Sequence, residues 1–218
     1  MNTEKLISIS PGNRKMGLVP SISLPPLKTC KPNPPCEKDC YALRMTHRLA
    51  IIKRAWERNL LILRSDPSSY WRQLEAFIGL NYPAYFRFHV GGDIPNITYL
   101  EYMEYLASDF PRTRFLVFSS QPFIHPSRIH NLVIMKSVWT DDLPSIDPRF
   151  PCYYVYKDKP FKPIGRIIEC PGRCPVCNYS CWHSLTGDIV QTPLKFVKKH
   201  RNVVPVDYKE GDNYESLF

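Results

Sequence analysis

Tyr85-Phe86-Arg87-Phe88-His89-Val90-Gly91-Gly92-Asp93 is the stretch on which the fold turns. Aromatic residues alternating with polar ones predict a strand over Tyr85 to Val90, with Arg87 and His89 on one side of it. Gly91-Gly92 breaks the strand and leaves Asp93 at its carboxyl end. Working outward, a helix is predicted over Thr98 to Ser108. A second strand, Arg114 to Phe118, runs into Ser119-Ser120-Gln121. A short helix near Ser127 to His130 leads to a third strand, Leu132 to Met135, ending at Lys136-Ser137. This βαβαβ order, with polar residues at each carboxyl end, implies a parallel sheet whose active edge is that end.

Upstream, Leu18 to Leu24 reads as a strand kept short by Pro20 and Pro25-Pro26. Tyr41, Met45, Leu49, Ile52, Trp56, Leu60 and Leu63 advance by three or four, which predicts one long helix with Arg44, Arg48, Lys53, Arg54 and Arg58 on its other faces. Asp66-Pro67-Ser68-Ser69 ends it and opens a second helix through Trp71, Leu74, Phe77 and Ile78. Downstream, Cys152 to Tyr156 and Ile164 to Ile168 read as further strands. The fold class is therefore α/β, a small or partial (β/α) barrel with parallel strands and a Cys-rich C-terminal metal-binding segment. Residues 1–150 form the partial barrel and 151–218 a C-terminal extension whose tail, from Leu194, is peripheral.

Composition narrows the classes. Apolar residues are 44% of the 218, which excludes wholesale disorder. No uncharged apolar run approaches the ~18 residues of a membrane helix. Met1-Asn2-Thr3-Glu4-Lys5 has no signal-peptide core behind it, so a cytoplasmic protein is expected. In that reducing compartment the eight cysteines are expected to hold metal instead of forming disulfides.

Seven of those cysteines fall into two clusters: Cys30, Cys36 and Cys40, spaced C-x5-C-x3-C, and Cys170, Cys174, Cys177 and Cys181, spaced C-x3-C-x2-C-x3-C. Such spacings let one loop wrap several thiolates around a metal centre. Four thiolates close a tetrahedral zinc or saturate a four-iron cluster, which suits a structural site or an electron relay. Three leave a position open for a substrate or cosubstrate. Both zinc and an iron–sulfur cluster fit the four-cysteine set. The three-cysteine set is either a site-differentiated 4Fe-4S cluster or a zinc site completed by Cys152 or a histidine such as His47.

The three-cysteine loop lies between a first strand and a long helix and is followed by His89-Val90-Gly91-Gly92-Asp93. In this it resembles the radical S-adenosylmethionine superfamily, whose loop after the first barrel strand holds a four-iron cluster and whose Gly-Gly-Glu motif contacts the cosubstrate. Cys40-Tyr41-Ala42 is similar to the end of that loop. The resemblance implies S-adenosylmethionine as cofactor, seated by Gly91, Gly92, Asp93, Ser119 and Ser137, and a flavodoxin- or ferredoxin-like electron donor as partner. The spacing is longer than the superfamily's C-x3-C-x2-C, and Asp93 stands where it has Glu. A narrower resemblance covers Leu24 to Cys40, Arg87 to Asp93, Lys136 to Asp141 and Cys170 to Trp182. These look like the phage family called gene product eighty-eight, which brings no established activity and would place the protein in the host cytoplasm.

The function expected is therefore an iron–sulfur protein, a radical S-adenosylmethionine enzyme with a catalytic cluster on Cys30, Cys36 and Cys40 and an auxiliary cluster on the other four. The rival is a non-catalytic protein stabilised by zinc or iron–sulfur that binds nucleic acid or another protein. Net charge bears on this choice. A three-thiolate four-iron cluster carries about −1 and a four-thiolate one about −2, so +9 falls only to roughly +6. Arg44, Arg48, Lys53, Arg54 and Arg58, with Lys195, Lys198, Lys199 and Arg201, could thus face a phosphate backbone or another anionic partner.

Overall fold

The computed structural model describes residues 6–30, 34–139, 147–156 and 166–193. Its elements, in chain order, are β1 (Ile9–Ser10), β2 (Ser21–Ile22), α1 (Pro34–Lys38), α2 (Tyr41–Arg48), α3 (Ala50–Ser65), α4 (Pro67–Asn81), β3 (Tyr85–Phe88), α5 (Ile97–Asp109), β4 (Arg114–Ser119), β5 (Leu132–Trp139), β6 (Cys152–Tyr156), β7 (Ile167–Glu169) and β8 (Ile189–Pro193). The eight strands form one sheet in the order β1-β2-β3-β4-β5-β6-β8-β7, with only the β1–β2 pair antiparallel.

Strand order determines where everything else goes. From β2 to β6 each parallel strand is laid down beside the last in the same direction. Right-handed crossovers then put the connections from β2 to β5 on one face. There Leu60 of α3, Tyr70, Trp71, Leu74 and Ile78 of α4, and Leu100, Met103 and Leu106 of α5 bury against Ile22, Phe86, Phe88, Phe115, Val117 and Ile134. The step from β7 back to β8 runs the opposite way, so the same handedness sends the connection between them over the other face. Cys181 and Trp182 of that connection pack with Met16 and Val19 on Leu116, Val133, Met135 and Val190. Among the described residues no pairing joins β1 to β7, so these strands form an open sheet, not a closed barrel. The sheet also continues past residue 151, because β6, β8 and β7 extend it from β5.

Local chemistry explains the helix boundaries. The Asp66 carboxylate accepts from Ser69 N–H at 2.9 Å with Pro67 in the first turn, and Asn96 caps α5 through Tyr99 N–H at 2.8 Å. The expected single helix from Tyr41 to Leu63 is two helices. Leu49 is extended at φ −124° and ψ 92°, which separates α2, on the sheet rim, from α3, whose Trp56, Asn59, Leu60 and Ile62 are buried. Asn59 fixes α3 by donating to the carbonyls of Ser8 and Ser23 at 2.9 and 3.0 Å. The helix expected near Ser127 to His130 is absent. Pro122 and Pro126 interrupt the stretch, the Ser127 hydroxyl accepts from Ile129 N–H at 3.0 Å in a turn, and Asn131 donates to the carbonyls of Ala107, Phe110 and Thr113. The Ile164 to Ile168 strand is β7, Ile167–Glu169, with 164 and 165 outside the described residues. No described helix is long and apolar enough to cross a membrane.

Candidate functional site

The carboxyl rim of β2, β3 and β4 is tied together by polar side chains that close on the three-cysteine loop. Leu24 N–H donates to the Gly91 carbonyl at 3.1 Å, so the chain leaving β2 still runs beside the chain leaving β3. The buried Thr29 hydroxyl donates to the Pro25 carbonyl at 3.1 Å and accepts from Asp93 N–H at 3.2 Å. Gln121, beyond β4, donates through Nε2 to the carbonyls of Thr29 and Ile94, both at 3.0 Å. Cys30 therefore leaves a loop braced by β3 and β4, while Cys36 rides on α1 and Cys40 caps α2.

Burial dominates the chemistry of these thiols. It pushes Cys30 up to about 12, against the Leu27 N–H donated to its sulfur at 3.2 Å, with Asp93 and Cys40 adding to the rise. Cys36 is likewise pushed to about 12 by burial and then by the neighbouring Cys40 and Cys30. Cys40 is raised by burial, opposed by the N–H groups of Leu43 and Ala42 at the start of α2. The three thiols thus feel one another and share a rim. Among the described residues, however, no three His, Cys, Asp or Glu side chains converge closely enough to hold a metal ion as placed. Thiolate is the donor form for zinc or iron, so metal binding here would have to release protons.

Gly91 and Gly92 are required by space as well as conformation. A Cβ on Gly91 would lie 2.3 Å from the Trp56 ring, and one on Gly92, at φ +76°, would lie 2.6 Å from the Leu24 carbonyl oxygen. The Asp93 carboxylate is buried and engaged: Oδ1 accepts from Ile94 N–H at 2.7 Å, and Oδ2 from Ser120 N–H at 3.0 Å. Burial raises it to about 6 despite those bonds and the Ser119 hydroxyl. The structure thus brings Gly91, Gly92, Asp93 and Ser119 together. Ser137 lies apart, because alternation along β5 puts it with Val133 and Met135 on the opposite face.

Arg87 and His89 do not share a side. His89 sits just past β3 in the left-handed region, at φ 57°, which turns its ring back into the helix-side core, 5.3 Å from the Tyr99 ring. Arg87 stays on the other face, its guanidinium 4.5 Å from the centre of the Phe118 ring and Nη1 3.6 Å from Met16 Sδ.

That other face carries the four-cysteine segment. Cys174 N–H donates to the Lys15 carbonyl at 2.8 Å, Tyr179 stacks on Tyr85 at 4.5 Å, and the Trp182 indole donates to the Phe86 carbonyl at 3.3 Å. Burial raises Cys170, Cys174 and Cys181, with Cys174 at about 11, and neighbouring cysteines of the set add to each rise. Arg87 acts against that rise at all three. Beside the segment is an open depression of about 280 Å³ lined by Arg166, Cys177, Asn178, Ser180 and His183. Sequence patterning gave no signal for Arg166 or His183 there, because the depression exists only once β7 and the segment meet.

Cys152 is not brought to the three-cysteine loop. It is the first residue of β6, at the amino end of the sheet, and its thiol faces the carbonyls of Asp147 and Phe150 at 3.8 Å each. His47 and Arg48 are exposed on α2 and Arg44 is half-buried there, while Lys53, Arg54 and Arg58 are exposed on α3. Lys195, Lys198, Lys199 and Arg201 lie outside the described residues.

Fold and site together define a mixed α/β protein that gathers thiols at the carboxyl rim and on one face of a mostly parallel sheet. The family model described as gene product 88 matches residues 2–145, well over half of the chain, and the chain belongs to that family. The matched span holds the three-cysteine loop, Gly91 to Asp93, Ser119 and Ser137, and stops short of the four-cysteine segment. No curated protein and no solved structure matches the chain.

Proposed function

We propose that this protein is an iron–sulfur enzyme of the radical S-adenosylmethionine type. Cys30, Cys36 and Cys40 would hold a four-iron cluster open at one iron, and Cys170, Cys174, Cys177 and Cys181 a closed one. The supporting observation is placement. The three-thiol loop leaves the carboxyl end of β2 and is bonded to Gly91 and Asp93 at the carboxyl end of β3, the edge at which parallel α/β sheets bind ligands. When bound, the cluster and S-adenosylmethionine would supply hydrogen abstraction from a substrate. The chain's own part is to shape and dry the site. Leu43 N–H favours thiolate at Cys40, and Leu27 N–H does so at Cys30. Gly91 and Gly92 offer backbone at close range, and Asp93, its carboxylate already engaged, holds Ser119, Ser120 and the loop in place.

A second reading has its own support: the rim at Gly91 is filled by Trp56, and Asp93 is spent internally. On this reading both cysteine sets are structural, holding zinc or iron, and the basic surface of α2 and α3 meets nucleic acid or another anionic partner. One experiment separates the two: anaerobic purification, iron, sulfide and zinc analysis, and electron paramagnetic resonance of the reduced protein with and without S-adenosylmethionine. The enzyme reading expects about eight irons per chain and a spectrum perturbed by the cosubstrate. Zinc in both sites, or iron with an unperturbed spectrum, transfers the weight to the second reading.

A further inference from the structure

Among the described residues Arg87 has no carboxylate paired with it. It lies in the middle of the sheet, with its guanidinium over Phe118, against Met16 and beside the Tyr41 hydroxyl, and its Nε is buried without a hydrogen-bond partner. None of the ion pairs among the described residues, such as those of Asp147 with Arg149 and Asp188 with Arg166, involves Arg87. A positive charge set among aromatic rings, sulfur and a neutral hydroxyl is destabilising unless an anion completes it. What packs over Arg87 is the four-cysteine segment. Met16, Phe118, Tyr153, Cys170, Cys174 and Cys181 belong to one packed cluster on this face. Four thiols are neutral and cannot supply the missing charge. Four thiolates around a divalent metal or an oxidised four-iron cluster leave a net charge of about −2, which can.

We propose that Arg87 is the built-in counter-ion of a thiolate-ligated metal centre formed by Cys170, Cys174, Cys177 and Cys181. The arginine and the centre would each remove the electrostatic cost of burying the other, and the β7–β8 connection would dock on the sheet through that pair as well as through Trp182. The inference rests on metal binding by the four-cysteine set, as proposed above, and is independent of whether the three-cysteine loop is catalytic. Arg87 acts here as a positioning residue, since it touches no reacting atom.

The test uses the full chain, with Cys30, Cys36 and Cys40 replaced by serine so that only the four-cysteine centre is read. Metal bound after anaerobic loading, and its rate of loss to EDTA, are compared for this parent and its Arg87→Met and Arg87→Lys derivatives. Where the metal is iron, the midpoint potential is compared too. Arg87→Met should lose metal about tenfold faster or more, and its cluster should become harder to reduce, because a nearby positive charge favours the more negative reduced form. Arg87→Lys, which keeps the charge but not the planar head, should restore most of the retention. If Arg87→Met does not yield folded protein, Arg87→Gln takes its place in the comparison. A parent that holds metal while the uncharged variant holds it equally well overturns the role of Arg87 alone. So does a lysine variant as defective as the methionine one, since packing and not charge would then be at issue. A parent that takes up no metal overturns both this inference and the metal reading beneath it.

Discussion

His89 carries a 3% exposed imidazole whose two ring nitrogens both lack a hydrogen-bond partner, packed beside Tyr99 and Phe88. Burial first, and the charge of Arg87 second, drop its pKa from 6.5 to about 3, so the native protein holds it neutral. A depressed histidine leaves stability intact above the unfolded value and removes it as pH falls from 6.5 towards 3, because only the unfolded chain takes up the proton. By pH 5 that loss amounts to about 2 kcal/mol. His89→Asn keeps a residue suited to the left-handed region and removes the titration. Urea unfolding at pH 7 and pH 5 should therefore show the variant gaining about 2 kcal/mol relative to wild type on acidification. A pH-independent difference between the two would mean that the ring is solvated. Nothing in the local sequence discloses this residue, since strict alternation sets it beside Arg87. Only the backbone turn at φ 57° separates them. Gly91 and Gly92 are the converse case. Their identity is plain in the sequence, but the Trp56 ring that demands Gly91 comes from a helix more than thirty residues away.

Among elements, the connection between β7 and β8 is the one whose position could not be read locally. The cysteine spacing makes it a candidate metal-binding loop, yet its face follows from β8 inserting between β6 and β7. β8 itself, Ile189-Val190-Gln191-Thr192-Pro193, is too short and too mixed to stand out, and the two-residue β1 exists only through its pairing with β2. By contrast β3, β4, β6, α4 and α5 were legible, because each carries an apolar run or a buried stripe and lies close to Gly, Pro, Asp or Asn. The segment's anchor is Trp182, 1% exposed, edge-on to Tyr85 and Tyr179, with its indole bonded to Phe86. Trp182→Ala should cost about 3–5 kcal/mol in denaturant unfolding, since it leaves a large cavity and an unpaired carbonyl. Limited proteolysis should then cut between residues 170 and 188 while the remainder resists. Resistance equal to wild type would show that the thiol centre alone holds the segment.

At the scale of the molecule, the two faces of the sheet are stabilised by different means. The helix side is a continuous apolar core, from Ile22 through Trp71 and Leu100 to Ile189, and its one cysteine, Cys152, belongs to neither cluster. The other side is a smaller cluster in which Cys181 is buried among apolar residues and Cys170 and Cys174 pack at the margin. Without metal those thiols stay protonated, because burial raises them, and Arg87 faces neutral sulfur. If the four cysteines bind metal as proposed, the same face would gain bonds among four positions of one segment and a charge that matches Arg87. Metal removal should consequently act on one face only. After chelation of the loaded protein, amide hydrogen exchange should accelerate about tenfold or more over residues 170–188, while β3, β4 and β5 keep their protection, since segments with few apolar contacts open independently of a core. Acceleration spread evenly over the sheet would instead make the metal centre part of the global fold. An unchanged pattern would show that Trp182 and the stacked tyrosines hold that face without it.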